Sequence, residues 1–464
     1  MAALLRVARV RVTLVAMRNA LLAVLLSATP VAAEPTLVGY ARLDAHTFRD
    51  GPTIPTSGQF IEQREHNGVT PPFVDKQPVQ GISSLVPMPD KPGSFWALSD
   101  NGFGTKANSA DYILCVYEVT PNFETGEVAW SVAFELSDPN DIIDWPTVAD
   151  GETYPNSDIP VSASIRNGRL LTGADFDIES LVRLPDGTFW IGDEFGPFLL
   201  HFDAEGRVLE PPIDLPGEGM HSPDHPTKDP AEAKIGRSTG FEGMVLARAD
   251  WVHPIAVLER SVDNDGYVWA VSFQPMPNGE HWFLGGPTYR WSQDGLAIGG
   301  AELLEKPSET TALGVEPRAF ILIERDGEQA QSASRKQLVA VVPATQEQED
   351  AVLDEMLDLD APEGDEFATM RRLADVTTDS RRLLADLLNL ADPDDLDGDG
   401  SNRFRFPYLT IESVAVVDER TVIVCNDNNY PFTNGRPEQA GPDATEFILI
   451  RFDKPLAELS SDAE

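Results

Sequence analysis

Five times along this chain an acidic or hydroxyl residue opens a short apolar run, and a charged or amide pair follows a β-rich stretch 14 to 22 residues later. The units open at Ser83, Glu179, Glu242, Glu302 and Glu412, and the answering pairs are Asp100-Asn101, Asp193-Glu194, Glu259-Arg260, Glu324-Arg325 and Asp427-Asn428. A unit of two or more strands cannot bury its apolar face alone, so copies of it stack, and radial stacking brings equivalent positions together at one axis. The expected fold is all-β, a β-propeller of five to six blades.

Strand signals run from Thr36 to Val341, separated by turn dipeptides such as Asp186-Gly187, Asp265-Gly266 and Asp326-Gly327. In the second unit, Leu181–Leu184, Thr188–Ile191, Phe198–Phe202 and Arg207–Leu209 read as one four-stranded meander, the size of a blade. Leu37–Leu43 is expected to close the ring against the last unit. From about residue 346 to 390 the apolar period changes: Val352, Met356, Leu357, Met370, Leu373, Leu383, Leu384 and Leu387 recur at helical spacing. A helical insertion before the last blade is expected there.

Charge narrows the function. With 76 acidic against 35 basic residues the formal net charge is −41, a field that repels nucleic acid and anionic membrane and attracts divalent cations. Surface acidity for solubility explains most of it; the acids at repeated positions need another explanation. Residues 1–33 read as an export signal, with arginines before the apolar run Ala20–Leu26 and a small-residue site at Val31-Ala32-Ala33, from a start at Met1 or Met17. Residues 34–464 are then one soluble domain, secreted or periplasmic, with no membrane insertion and expected to be monomeric. Cys115 and Cys425, the two cysteines, fall in the first and last units; they either pair across the closed ring or stay as buried thiols.

Carboxylates repeated on an innermost strand face a shared axis and repel one another unless protons or metal ions intervene. An all-oxygen donor set suits a hard cation, above all Ca²⁺. Glu179, Glu242, Glu302 and Glu412, with Glu259 and Glu324, are the candidate metal ligands. Asp100, Asp193, Glu194 and Asp427 complete coordination or serve as general base, and Asn101 and Asn428 line the substrate site. Arg260 and Arg325 either clamp a phosphoryl oxygen with their planar forks or form ion pairs between blades. Metal-activated water attack at the channel mouth is the chemistry such a set supports.

Three long stretches carry a family resemblance: Gly173–Phe198 (GADFDIESLVRLPDGTFWIGDEFGPF), Leu98–Gly104 with Lys106–Tyr112, and Thr410–Val414 with Asn426–Phe432 and Thr445–Ile450. Together they resemble the family described as esterase-like activity of phytase, over roughly Leu37 to Phe452. The resemblance implies a propeller in the exported chain and a phosphoester-hydrolase character. The sequence lacks an Arg-His-Gly phosphatase motif, and its phosphate-cradling lysines reduce to Lys76, Lys106, Lys228 and Lys234.

The function expected is therefore a Ca²⁺-dependent, phytase-like hydrolase of small phosphoesters. Two alternatives stay open: a non-enzymatic, Ca²⁺-stabilised binding propeller, and a lactonase or carboxylester hydrolase on the same fold. Asp395-Leu-Asp-Gly-Asp-Gly400 matches the opening of a calcium loop, but its twelfth position is Phe406 rather than Glu, which excludes a full EF-hand.

Overall fold

The computed structural model describes residues 34–50, 56–246, 254–262, 267–275, 281–285, 289–290, 296–303, 320–341 and 381–461. The export signal read from residues 1–33, and the part of the expected helical insertion from 346 to 380, lie outside these residues.

Alternation and β-branching produce strands almost throughout; among the described residues they form three antiparallel four-stranded sheets and one larger sheet that divides into two further antiparallel four-stranded parts at a single parallel pairing, Arg42 with Glu127, and these parts are numbered below as sheets one to five. Sheet one comprises Ile82–Pro87, Phe95–Ser99, Cys115–Asn122 and Glu127–Glu135. Sheet two comprises Ile178–Arg183, Phe189–Asp193, Phe198–Phe202 and Ile213–Asp214. Phe241–Leu246, Pro254–Leu258, Ala270–Pro275 and His281–Gly285 make sheet three. Ala297–Leu303, Phe320–Arg325, Lys336–Val341 and Arg382–Asp386 make sheet four. Sheet five takes Ser413–Asp418, Thr421–Cys425 and Thr445–Arg451, and its outer strand is Thr36–Leu43 from the other end of the chain. The expected closing strand is thus present, paired antiparallel from Leu43 opposite Thr445 to Thr36 opposite Arg451.

The first strand of each sheet lies against the first strands of the sheets before and after it, and sheet five returns to sheet one. The result is a propeller-like ring with five inner strands. Burial grades outward as this requires. Inner strand Ile178–Arg183 is buried along nearly its whole length, whereas outer strand Glu127–Glu135 alternates between exposed and half-buried residues. The apolar cores lie between neighbouring sheets. One packs Trp190 and Leu199 of sheet two against Met244 and Phe273 of sheet three, and another packs Ala97 and Tyr117 of sheet one against Ile423 and Phe447 of sheet five. Cys115 and Cys425 share this second core as buried free thiols, which decides between the two readings of that pair.

Two expectations need correction. The fourth strand of sheet two is Ile213–Asp214, not Arg207–Leu209. Asp203 accepts hydrogen bonds from the backbone and side chain of Arg207, holding a turn that leaves Val208 a single bridge to Phe202. The C-terminal part of the expected helical insertion is also a strand. Leu383 and Ala385 pair with Val339 and Leu338 on the outer edge of sheet four, where Leu383 faces out and Leu384 in. Leucines at mixed spacing fit either period, and the sheet edge selects the period of two.

Candidate functional site

Four of the five inner strands begin with a β-bulge that leaves one residue unopposed. The bulged residues are Ser83, Glu179, Glu242 and Gly299. In sheet five Ser413 pairs with Cys425, and the amide of Glu412 also reaches the Cys425 carbonyl at 3.3 Å, which places Glu412 in the same position. A bulge re-aims a side chain out of the alternation of its strand, and here it directs the bulged residues to the start of the ring. Across from them, at the end of each second strand or one or two residues past it, stand Asp100, Glu194, Glu259, Arg325 and Asp427. Close backbone approach makes two glycines obligatory. Gly81 has φ +62°, and a Cβ there would fall 2.0 Å from Asp100 Oδ1; a Cβ on Gly299 would fall 1.9 Å from the Ile411 carbonyl oxygen.

These residues enclose a cavity of about 300 Å³ lined by eight carboxylates: Asp100, Asp177, Glu179, Glu194, Glu242, Glu259, Glu412 and Asp427. Two arginines line it as well. Arg325 is buried, and its Nη2 lies 3.0 Å from Glu259 Oε1, 3.3 Å from Glu412 Oε1 and 3.6 Å from Glu242 Oε1. Arg260 stays at the rim, 3.2 Å from Glu259 Oε2, with its side chain 40% exposed. Burial by itself would lower the pKa of Arg325, but Glu259, Glu412 and Glu242 outweigh it and hold the group cationic.

On the other side, Asp177, Glu179 and Glu194 each bring an oxygen within 4.8 Å of the other two. At an effective dielectric of about 20, each like-charged pair at that distance costs roughly 3–4 kcal/mol. Three such pairs would consume most of the about 5–15 kcal/mol that stabilises an ordinary domain, so the trio takes up protons or a cation. Without a cation, burial and the neighbouring carboxylates push Glu179 and Glu194 well above the usual range, and burial moves Asp177 to about 6. Glu242, Glu412 and Asp100 are likewise raised well above it, by burial first. The donor set fits a hard cation on a further ground: Glu179 Oε2 is buried without a hydrogen-bond partner, although Glu179 is only 7% exposed.

The remaining hydrogen bonds hold the cup rigid. Ser83 Oγ donates to Glu412 Oε2 at 3.1 Å, the Gly240 amide to Glu194 Oε1 at 2.9 Å, and Thr410 Oγ1 to Asp427 Oδ2 at 3.1 Å. Asn101 lines the cavity and accepts from the Gly104 amide.

Four residues read from sequence as site groups lie elsewhere. Asp193 is fully buried behind the cup, accepting from the amides of Asp177 and Gly196 at 2.7 Å each. Asn428 is spent on the Gly81 amide and the Asp443 carbonyl, and its neighbour Asn429 lines the cavity instead. Glu324 is tied to Arg381, one residue short of the facing position. Glu302 sits at the other end of the inner strands, in an apolar hollow with Leu85, Trp96, Leu181, Met244 and Val416, where its Oε2 accepts from the Val416 amide at 3.4 Å. Gly299 holds the equivalent ring position, so Glu302 is three residues out of register. Conversely, Asp177 lines the cavity without being among the expected site residues, two residues before Glu179. The aligned starts Gly81-Ile-Ser-Ser, Asp177-Ile-Glu-Ser, Gly240-Phe-Glu-Gly, Ala297-Ile-Gly-Gly and Thr410-Ile-Glu-Ser supply the signal: Ile or Phe before the bulge, Ser or Gly after it.

Fold and site together define a class: an all-β, propeller-like ring whose inner strands deliver carboxylates to one axial cavity. Within that class the chain belongs to the Phytase-like family, described as esterase-like activity of phytase, whose profile matches residues 77–430. It is 30% identical over 131 residues to an uncharacterized secreted protein of Arthroderma benhamiae, a match covering 25% of this chain and 24% of that protein. The chain therefore spans about a quarter of that relative's length. Among solved structures it is similar to a luciferin-regenerating enzyme, with 8% identity and TM-score 0.31 over 82% of this chain and 83% of the other. A PQQ-bound aldose sugar dehydrogenase of Streptomyces coelicolor gives 10% identity and TM-score 0.30, over 82% and 86% of the two chains. Among the described residues no helix is long and apolar enough to cross a membrane.

Proposed function

We propose that this chain is an exported, Ca²⁺-dependent hydrolase of small phosphoesters acting at the carboxylate cup. The observation that carries the reading is the excess of eight lining carboxylates over two arginines, with a buried carboxylate oxygen of Glu179 left unpartnered. Asp177, Glu179 and Glu194 would hold the cation, which when bound neutralises the cup and polarises the ester oxygen. Arg260, whose side chain is 40% exposed at the rim, would meet an incoming phosphoryl group. Asp100 and Asp427 line the same cavity. Asp427 is pushed up to about 6, chiefly by burial, a value suited to taking a proton from water near neutrality. Asn101 and Asn429 would orient the substrate's remaining oxygens. Family membership supports hydrolysis, and the secreted relative supports export.

The test is turnover of an aryl phosphate, an aryl carboxylester and a lactone, each with added Ca²⁺ and with chelator. Phosphate hydrolysis that rises with Ca²⁺ and disappears in chelator is expected. Turnover of only the ester or lactone would reassign the substrate class, and indifference to both additions would remove the metal from the reading.

A further inference from the structure

The fourth sheet breaks the pattern of the ring in both of its positions: Gly299 takes the bulge where three other sheets place Glu, and Arg325 takes the facing position where the others place Asp or Glu. Both departures have physical consequences. The inner strand of sheet four runs so close to Ile411 that a Cβ at 299 would stand 1.9 Å from its carbonyl oxygen, so no carboxylate can be mounted there. Arg325 then reaches into the vacated space and contacts Glu242, Glu259 and Glu412 through one nitrogen. The cup is thereby divided. One half carries a fixed guanidinium among three glutamates, and the other brings one carboxylate oxygen each of Asp177, Glu179 and Glu194 within 4.8 Å of one another.

We infer that Arg325 is a built-in counter-cation that occupies the place of a second metal ion, so that the cup takes a single divalent cation, held on the sheet-two half. The inference rests on the metal reading of the preceding subsection. A guanidinium in contact with three carboxylates offsets one of their charges from a fixed position and repels a second cation brought to the same oxygens. The sheet-two half has no such fixed cation: Glu179 Oε2 is buried there without a hydrogen-bond partner, whereas Glu242 Oε1, which also lacks one, lies 3.6 Å from the Arg325 guanidinium. Arg325 in this account positions and excludes; it does not receive substrate.

Calcium stoichiometry tests this by titration calorimetry and native mass spectrometry, at about 0.15 M salt, where diffuse attraction to the acidic surface is screened. The full chain should carry Asp397→Asn and Asp399→Asn, so that the exposed acidic loop at 395–400 does not enter the count. One Ca²⁺ per chain is expected, with one in Arg325→Lys and two in Arg325→Gln. Glu179→Gln should lose the ion, whereas Glu259→Gln, on the arginine side, should keep it. Two ions in the parent chain, or one in a folded Arg325→Gln, would overturn the inference while leaving the metal reading intact. Should Arg325→Gln fail to fold, the glutamate pair decides: retention in Glu179→Gln with loss in Glu259→Gln places the ion on the wrong half. No binding in the parent chain would remove both readings.

Discussion

Sheets two and four share one topology and present opposite charge to the axis. Sheet two contributes three acids to the cup, Asp177, Glu179 and Glu194, while sheet four presents Ala297, Gly299 and Arg325 at the same three positions. The repeat is therefore a scaffold on which each sheet can be given its own sign. Five acidic copies would leave a ring of carboxylates that no single ion could neutralise. Replacing one copy with a glycine and an arginine turns that ring into an ion-sized trio beside a cluster that already holds one fixed cation.

The comparison can be broken most directly at Arg325. Arg325→Met leaves Glu242, Glu259 and Glu412 without their guanidinium and should destabilise the calcium-free chain by about 3–5 kcal/mol in urea unfolding. A loss below about 1 kcal/mol would mean that the three glutamates do not depend on it. On the other side, Glu179→Gln removes a carboxylate from the trio and should lower phosphoester turnover at least roughly 100-fold, beyond the 10–100-fold usual for a residue that merely supports a ligand. It should also abolish the rise in melting temperature on adding Ca²⁺. Unchanged turnover together with an unchanged calcium response would show that the sheet-two trio is architecture.

Gly299→Ala asks whether sheet four could ever have carried an acid. With its Cβ forced against the Ile411 carbonyl, it should cost about 1–3 kcal/mol by overpacking; a neutral result would mean that the strand can yield and that the choice of glycine is not steric. Asp111 is the control for a buried acid outside the ring. Its Oδ1 has no hydrogen-bond partner, and burial raises its pKa to about 7. Since the folded value lies above the ordinary 3.8, its contribution to stability is fully present below about pH 4 and is lost as the pH rises through about 7. Asp111→Asn should flatten that slope between about pH 4 and 7 in denaturant titrations, equally with and without Ca²⁺. Smallest of all, Glu302→Gln should shift stability by less than about 1 kcal/mol and leave the calcium response unchanged.

Much of this molecule was legible before any coordinates. The starts at Glu179, Glu242 and Glu412 were read correctly because a bulge between an Ile or Phe and a Ser or Gly is a local pattern that survives in one sequence. The closing strand Leu37–Leu43 was legible because a ring needs a partner for its last sheet. Glu302 misled because Gly300-Ala301-Glu302 imitates the tripeptide Gly-x-Glu without the preceding Ile, while the true start, Ile298-Gly299-Gly300, has lost its acid. Asp193 and Glu324 misled because each adjoins the residue that does face the cup, and neighbours on a strand point in opposite directions.

A repeating strand unit, carboxylates at its repeated positions and an all-β ring that buries such units all follow from the linear pattern. Which carboxylates meet does not, because a one-residue change of register sends a side chain to the axis or away from it, and register is settled by bulges and by contacts between strands hundreds of residues apart. The sign of the fourth position likewise belongs to the folded chain: whether Arg325 faces substrate or pairs with three glutamates depends on distances of a few ångströms across the axis, which no linear pattern encodes.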